Sequence, residues 1–346
     1  QLINVAGDIA SIGYEGNDDV ESALSMSEDL LYKVRSGQGT RDFVHIREVL
    51  DTYMEQTADI NLAQEKHLAP VPTGFSDLDK LLGGGLQRAD LVILAARPSL
   101  GKSTLAFNIA RSAAEQGVGV GIFSLEMSAE QIAVRLLSSE TDVDSHRMRI
   151  GMLNEAEQRR EMEAIGMLSD LPIYIDDTPL QSIVEIRGKS RRLQIERGLD
   201  LMIVDYLQLI RDPGRRIENR VQEMAEISRT LKGIARDLDI PVLACSQLSR
   251  APEQRPSHRP HLSDLRESGS IEQDADVVMF VYREAYYLER KEPRPATVEH
   301  AEWQTKMNEV SILAEIMIGK QRHGPTGNIK VEFEAMFTKF RDIQTS

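Results

Sequence analysis

At 346 residues, with 41% hydrophobic and 28% charged side chains, the chain has length for one large or two medium domains and an ordinary globular balance. No apolar run approaches the roughly 20 residues that cross a bilayer, and no charged-then-apolar leader opens the chain. One cysteine, Cys245, excludes an intramolecular disulfide and fits a reducing, cytoplasmic setting, and Gln1 in place of Met reads as the start of a fragment or processed product. The net charge of −14 speaks against a broad basic face for nucleic acid. Residues 1–66 carry 13 acids against 5 bases, however, while Arg250, Arg255, Arg259 and Arg266 fall close together around His258 and His261. Any contact with a phosphate backbone is therefore expected to be local and in loops. The seven histidines show no zinc spacing, so His258 and His261 read as loop residues and no structural metal is expected.

In chain order, residues 1–39 read as short helical pieces interrupted by Gly13, Gly16, Gly37 and Gly39. From 41 to about 62, Phe43, Ile46, Val49, Leu50, Tyr53 and Met54 recur at steps of three and four, the spacing of an amphipathic helix that ends ahead of Pro70 and Pro72. The pattern alone leaves open whether it packs on its own domain or elsewhere. Beyond Pro72, apolar runs at 91–96, 118–124, 201–205, 242–246 and 277–282 predict strands. Segments 103–116, 129–138 and 220–239 predict helices between them. Short apolar strands separated by crossovers imply a mostly parallel sheet covered on both faces. Segments 312–318 and 329–333 predict a closing antiparallel pair, and the charged stretch 286–309 reads as a solvated loop.

The most informative run is Leu91 to Thr104, where a buried strand enters a tight loop and a helix starts at Gly101-Lys102-Ser103. That context defines a P-loop, whose successive N–H groups and helix N-terminus cradle a polyphosphate. Ser99, Gly101, Lys102, Ser103 and Thr104 are the candidate phosphate contacts. Lys102 is expected to bridge the β- and γ-phosphates and the Ser103 hydroxyl to ligate Mg²⁺. Ala96 replaces the first glycine of the usual pattern. Asp205, ending an apolar strand about 100 residues later, is a candidate Mg²⁺ partner, or else merely starts a turn. Glu126, just past a strand, either orients the attacking water or simply opens a helix beside Ser128 and Glu130. Gln247 is either a γ-phosphate sensor or a turn residue.

These strand-end groups in this order resemble the bacterial replicative helicase family of the DnaB type. The resemblance extends over the runs 73–79, 96–102 with its alanine, 123–127, 203–209, 246–250, 264–276 and 320–325, which is essentially the whole chain. It implies a RecA-like α/β P-loop NTPase fold, with a mostly parallel central sheet flanked by helices. It divides the chain into a remnant of an N-terminal helical domain at 1–39, a linker helix within 40–69 that docks on the adjacent subunit, and a motor domain at 70–346. It implies ATP and Mg²⁺ as cofactors, Glu126 as catalytic base, Asp205 as Mg²⁺ partner, Gln247 as sensor and Arg135 as a further nucleotide contact. Arg266, Glu267 and Gly269 match the loop that grips single-stranded DNA, and Lys320 and Arg322 match the pair that reaches a neighbouring subunit's γ-phosphate. The implied activity is ATP-driven 5′ to 3′ translocation by a homohexamer at the replication fork. In a full-length protein the implied partners are a helicase loader and primase, with no membrane association. A RecA-like recombinase or repair ATPase, a DNA-independent ring ATPase or kinase, and a loader-like switch are the alternatives. The runs 264–276 and 320–322 favour the helicase over the first two, and Glu126 favours hydrolysis over the third.

Overall fold

The computed structural model describes residues 2–14, scattered positions between 23 and 54, and then 69–211, 220–265 and 269–343. Among these, the strands are β1 (Leu91–Ala96), β2 (Val120–Ser124), β3 (Ile173–Asp176), β4 (Leu201–Asp205) and β5 (Val242–Gln247), followed by β6 (Val277–Tyr282), β7 (Leu313–Gln321), β8 (Gly327–Glu334) and β9 (Lys339–Asp342). The helices are α1 (Leu2–Tyr14), α2 (Ser76–Leu82), α3 (Lys102–Glu115), α4 (Ala129–Thr141), α5 (Ser145–Arg149) and α6 (Glu155–Ser169). They continue with α7 (Ile183–Arg197), α8 (Arg220–Leu238), α9 (Ala251–Gln254), α10 (Gly269–Asp274), α11 (Glu284–Glu289) and α12 (Val298–Val310).

The strands form one sheet in the order β3-β2-β4-β5-β1-β6-β7-β8-β9. Pairing is parallel from β3 through β6 and antiparallel from β6 to β9. Central β1 is buried along its whole length, and side-chain alternation divides it between two cores. Val92, Leu94 and Ala96 join Leu105, Ile109 and Ala113 of α3 on one face. Leu91, Ile93 and Ala95 join Ile227, Leu231 and Ile234 of α8 on the other. An unbroken apolar run is what a strand covered on both sides requires.

Strand direction fixes where chemistry is possible. The C-terminal ends of β1, β2, β4, β5 and β6 share one edge of the sheet. Strand β7 runs back along β6 with Val277 opposite Gln321, so Lys320 and Arg322 fall at the opposite edge, beside the starting ends of β1 and β6. Six-residue β1 makes the two edges about 20 Å apart, at roughly 3.3 Å per residue.

Several expectations are corrected. The segment 286–309 is not a loop: most of it folds as α11 and α12, joined by Trp303 Nε1 donating to the Leu288 carbonyl at 2.9 Å and by a Lys306–Glu284 ion pair at 2.7 Å. Helix α12 buries only Val310, so it lacks an amphipathic stripe, and its one local signal is Thr297 accepting the His300 N–H. Strand β2 starts at Val120 because the Val118 N–H still donates to Ala113 and closes α3. Helices α6 and α7 were not foreseen; each opens on a capping box, Asn154 with Glu157 and Ser182 with Glu185. The closing antiparallel pair gains a third strand, β9, whose Lys339-Phe340-Arg341-Asp342 carries a single apolar residue. Gly13 lies within α1 and does not interrupt it.

Candidate functional site

At the exit of β1, Ala96 is the last paired strand residue, opposite Gln247, and its φ is negative. The first position of the pattern is extended here, so glycine is not needed and alanine fits. The turn that follows does need unusual backbone: Ser99 has φ +68° and Gly101 φ +98°. A Cβ on Gly101 would lie 2.9 Å from Phe340 Cζ and 3.3 Å from Phe333 Cε2. The loop therefore rests on the paired rings of β8 and β9, which have centroids 4.5 Å apart. Helix α3 starts at Lys102 with no side-chain cap. Its first N–H groups and the positive end of its dipole point to the loop's concave side, an arrangement suited to a polyphosphate.

The adjoining cavity holds about 690 Å³ and is lined by Ala96, Ser99, Gly101 to Thr104, Glu126, Arg135 and Gln247, together with Tyr206, Arg283, Phe333 and Thr338. Ser99, Gly101, Lys102, Ser103, Thr104, Glu126, Arg135 and Gln247, candidates from the sequence, all reach this one space. Asp205 adjoins it, fully buried, with its carboxylate 3.1 Å from Lys102 Nζ. Apart from Lys102 and the neighbouring Cys245 thiol, no hydrogen-bond donor meets the Asp205 oxygens among the described residues. The ammonium also stands 4.3 Å over the Tyr206 ring. A buried carboxylate with so few partners is costly to bury, and its chemistry suits a further cation. Glu126 is exposed, two residues past the β2 end that pairs Ser124 with Asp205. Burial lowers the pKa of Arg135, while the charges of Asp205 and Glu126 pull it back up, so the three form one electrostatic group. Burial, helped by Asp205, pushes the Cys245 thiol well up, which leaves it an inert core residue.

Three lining or supporting groups escaped the sequence reading. Gln208, in the turn after β4, donates to Ser246 Oγ at 3.0 Å and accepts the Gln247 N–H at 3.2 Å, fixing the backbone of the sensor candidate. Arg283 directly follows β6 and is buried, its guanidinium 4.2 Å over Phe333. Burial lowers its pKa, opposed by Glu289 and Tyr286. The strand-end rule that found Asp205 and Gln247 would have found it too. Thr338, which lines the wall and donates to the Arg135 carbonyl at 3.0 Å, sits in a turn with no readable signal.

Lys320 and Arg322 are not in this cavity; they lie at the opposite sheet edge. Of the proposed DNA contacts, Arg266 and Glu267 lie outside the described residues, and Gly269 opens α10. The basic cluster expected to meet phosphates is partly neutralised. Arg255 makes a two-pronged pair with Asp264 at 2.5 and 2.6 Å, and Arg259 another with Glu315 at 2.6 and 2.8 Å. Those two arginines brace the loop between α9 and β6 and are poor candidates for a phosphate backbone. Arg250 is exposed. Of the 41–62 helix, positions 46, 47, 50, 51 and 54 are described as helical, while Phe43, Val49 and Tyr53 lie outside the described residues or have undescribed side chains. Ile46, Leu50 and Met54 are 63%, 53% and 69% exposed. No helix among the described residues is long and apolar enough to cross a membrane.

The family model of the DnaB-like helicase C-terminal domain matches residues 70–342. The replicative DNA helicase DnaB of Rickettsia conorii is 42% identical over 360 residues, covering 99% of this chain and 72% of the relative. The replicative DNA helicase DnaC of Bacillus subtilis is 43% identical over 345 residues, covering 99% and 72%. Among solved structures, an ATPase domain aligns with a TM-score of 0.74 at 34% identity, over 88% of this chain and all of that one. A DnaB-like replicative helicase, described with its interactions with primase, aligns with a TM-score of 0.77 at 30% identity, over 99% of this chain and 75% of that one. Nothing in the fold or in these relatives favours the recombinase, the DNA-independent ring ATPase or the loader-like switch. The chain belongs to the DnaB family of replicative helicases and is an ATP-dependent DNA helicase.

Proposed function

We propose that the chain is one subunit of a homohexameric ring that moves 5′ to 3′ on single-stranded DNA and parts the strands of a replication fork, with each ATP site completed by the adjacent subunit. The observation that carries the reading is the division of cations between the two sheet edges. Lys102 and Arg135 serve the P-loop cavity, whereas Lys320 and Arg322 stand one strand length away, about 20 Å on the scale of strand rise. A cation at that distance cannot reach the γ-phosphate in its own chain. It can reach the γ-phosphate of a copy packed edge to edge, and such a head-to-tail contact builds a ring where the rotation between copies closes.

In this reading Ser99, Gly101 and Thr104 contribute to the phosphate cradle with Lys102, whose ammonium leaves Asp205 for the β- and γ-phosphates. Glu126 accepts a proton from water as the water oxygen bonds the γ-phosphorus and the bond to the β–γ bridging oxygen breaks, releasing ADP and phosphate. Arg135 and the neighbour's Lys320 and Arg322 meet the charge on the transferring group, and Gln247 registers its loss. The donor set also fits Mg²⁺: Asp205 offers a buried carboxylate met by little besides Lys102 and the Cys245 thiol, and Ser103 a hydroxyl at the start of α3. When bound, the ion would neutralise phosphate charge.

Arg266, Glu267 and Gly269 supply the grip on single-stranded DNA. The exposed stripe Ile46, Leu50 and Met54 supports the assignment of 40–69 as a linker helix that covers its apolar face on the next subunit, between an N-terminal remnant at 1–39 and the motor at 70–346. A helicase loader and primase are the partners of the full-length protein, at the replication fork in the cytoplasm. The test is strand separation of a forked duplex with and without ATP. Unwinding that requires ATP and a 5′ single-stranded arm is expected; equal unwinding of forks bearing only a 3′ arm would overturn the polarity.

A further inference from the structure

The two cations assigned to a neighbour's nucleotide already have acceptors inside their own chain. Lys320 Nζ donates to the carbonyl oxygens of Glu272 and Ala275, the latter at 2.7 Å, and stands 3.5 Å from that of Gln273. Arg322 Nη2 donates to the Gln273 carbonyl at 2.6 Å, the Arg322 N–H donates to the Asp276 carbonyl at 2.9 Å, and Nε stands 3.6 Å from Asp276 Oδ1. These carbonyls close the C-terminal end of α10, where no further helical turn satisfies them and where cations are favoured by the helix dipole. Burial first, and the Arg322 charge second, lower the pKa of Lys320, against the attraction of the Asp276, Glu272 and Asp274 carboxylates.

The same short helix begins at Gly269, in the stretch read as the DNA grip. Upstream, Leu265 forms a bridge with Leu248, whose N–H donates at 3.1 Å to the carbonyl of Ala96 in the P-loop. Leu265 thus stands at the P-loop edge, and Asp276 at the edge that holds Lys320 and Arg322. Asp276 is anchored there, buried, accepting the Leu91 N–H at 2.8 Å and the Lys232 ammonium at 2.5 Å.

We propose that the C-terminal end of α10, with Asp276 and Glu272 as positioning residues, is an in-chain dock that competes with a neighbour's nucleotide for Lys320 and Arg322, so that DNA acting on α10 releases the pair for catalysis. The proposal rests on the reading that Arg322 acts on an adjacent subunit. Its logic is that of a population shift: while the pair is docked, only a fraction of subunits is competent, and turnover scales with that fraction. Weakening the dock raises the fraction without DNA and leaves little for DNA to add. A purely structural role for the same residues would lower turnover with and without DNA together.

The experiment is steady-state ATPase of the assembled chain, without DNA and at saturating oligo(dT), for Asp276→Asn and Glu272→Gln. Asp276→Asn keeps the shape and removes the charge behind Arg322. It should raise DNA-free turnover on the order of 5-fold, the lower end of typical coupling between sites, while DNA-saturated turnover stays within about twofold of the unaltered protein. Glu272→Gln lies on the partly exposed side of α10 and should move the same way by about half as much on a logarithmic scale. Unchanged DNA-free turnover, or a proportional fall in both rates, overturns the dock. If Asp276→Asn does not assemble, Glu272→Gln decides alone, and no rise there overturns it. Arg322→Ala separates the two ideas: an active Arg322→Ala removes the in-trans reading and the dock with it. An inactive Arg322→Ala beside an unresponsive Glu272→Gln removes the dock only.

Discussion

The two edges of the sheet each hold a buried aspartate facing a lysine, and they are built in opposite ways. Asp205, at the P-loop edge, is paired with Lys102 and feels the charge of Arg135, and beyond the Cys245 thiol no other hydrogen-bond donor meets its oxygens among the described residues. Asp276, at the far edge, has the Leu91 N–H, Lys232 and Arg322 around it. The first has capacity left for a ligand's charge. The second is already closed, so any action of Lys320 and Arg322 on another chain must first break bonds at home. An edge of the first kind binds; an edge of the second kind responds. This difference makes the far edge the natural place for control and the near edge the natural place for affinity.

The largest effect expected from this contrast is at the far edge. Arg322→Ala should keep nucleotide binding and lose turnover by about 10³–10⁵, the range in which an arginine finger contributes to phosphoryl transfer. Subunit exchange with Lys102→Ala should then restore activity, because one variant supplies an intact P-loop and the other an intact finger. ATPase measured across mixing ratios checks this; if no ratio exceeds the inactive parents despite demonstrated co-assembly, Arg322 does not act in trans. At the near edge, Lys102→Ala alone should lower turnover by about 10² or more, since the cavity loses the cation nearest Asp205 and the phosphates. Activity of the purified variant within twofold of the unaltered protein would remove the P-loop assignment.

The near edge was legible in the sequence because its parts are local. A strand, a loop and a helix start in one run of residues place Gly101, Lys102 and Ser103, and parallel strands carry Asp205, Glu126 and Gln247 to the same edge by direction alone. The same rule passed over Arg283, which ends β6 in the same way. The far edge was legible only through family resemblance, because nothing in a lysine and an arginine beside a turn says which copy they serve. Their in-chain acceptors are backbone carbonyls, which leave no trace in side-chain pattern. The miss over 286–309 has another cause: α12 is held by one cap and by polar contacts of Trp303 and Lys306, and buries only Val310, so hydrophobic periodicity was silent. Arg255 and Arg259 misled for the converse reason, since Asp264 and Glu315 neutralise them from 9 and 56 residues away.

The smallest expected effect probes how charged the far edge is. Asp90 lies beside Asp276, with Lys232 Nζ 3.7 Å from its carboxylate and 2.5 Å from that of Asp276, so two acids share one ammonium. Burial first, and Asp276 second, push the Asp90 carboxyl from 3.8 up to about 6, against the pull of Lys232 and His323. A folded-state pKa above the unfolded one means that the folded chain binds this proton more tightly. The cost of keeping Asp90 ionised is therefore fully present above pH about 6 and fades as pH falls toward 3.8. Asp90→Asn removes that cost while Lys232 keeps Asp276. The variant should melt about 2 °C above the unaltered chain at around pH 7.5, the scale on which roughly 1 kcal/mol displaces Tm in a sizeable domain. The gap should narrow by around pH 5, where Asp90 is largely protonated in the folded chain. Thermal melts followed by circular dichroism at both pH values check this. A gap that is the same at both would mean that Asp90 is held by shape and not by charge. A variant less stable at the higher pH would mean that the far edge needs both carboxylates to hold Lys232, and that the contrast between the two edges lies in geometry more than in electrostatic saturation.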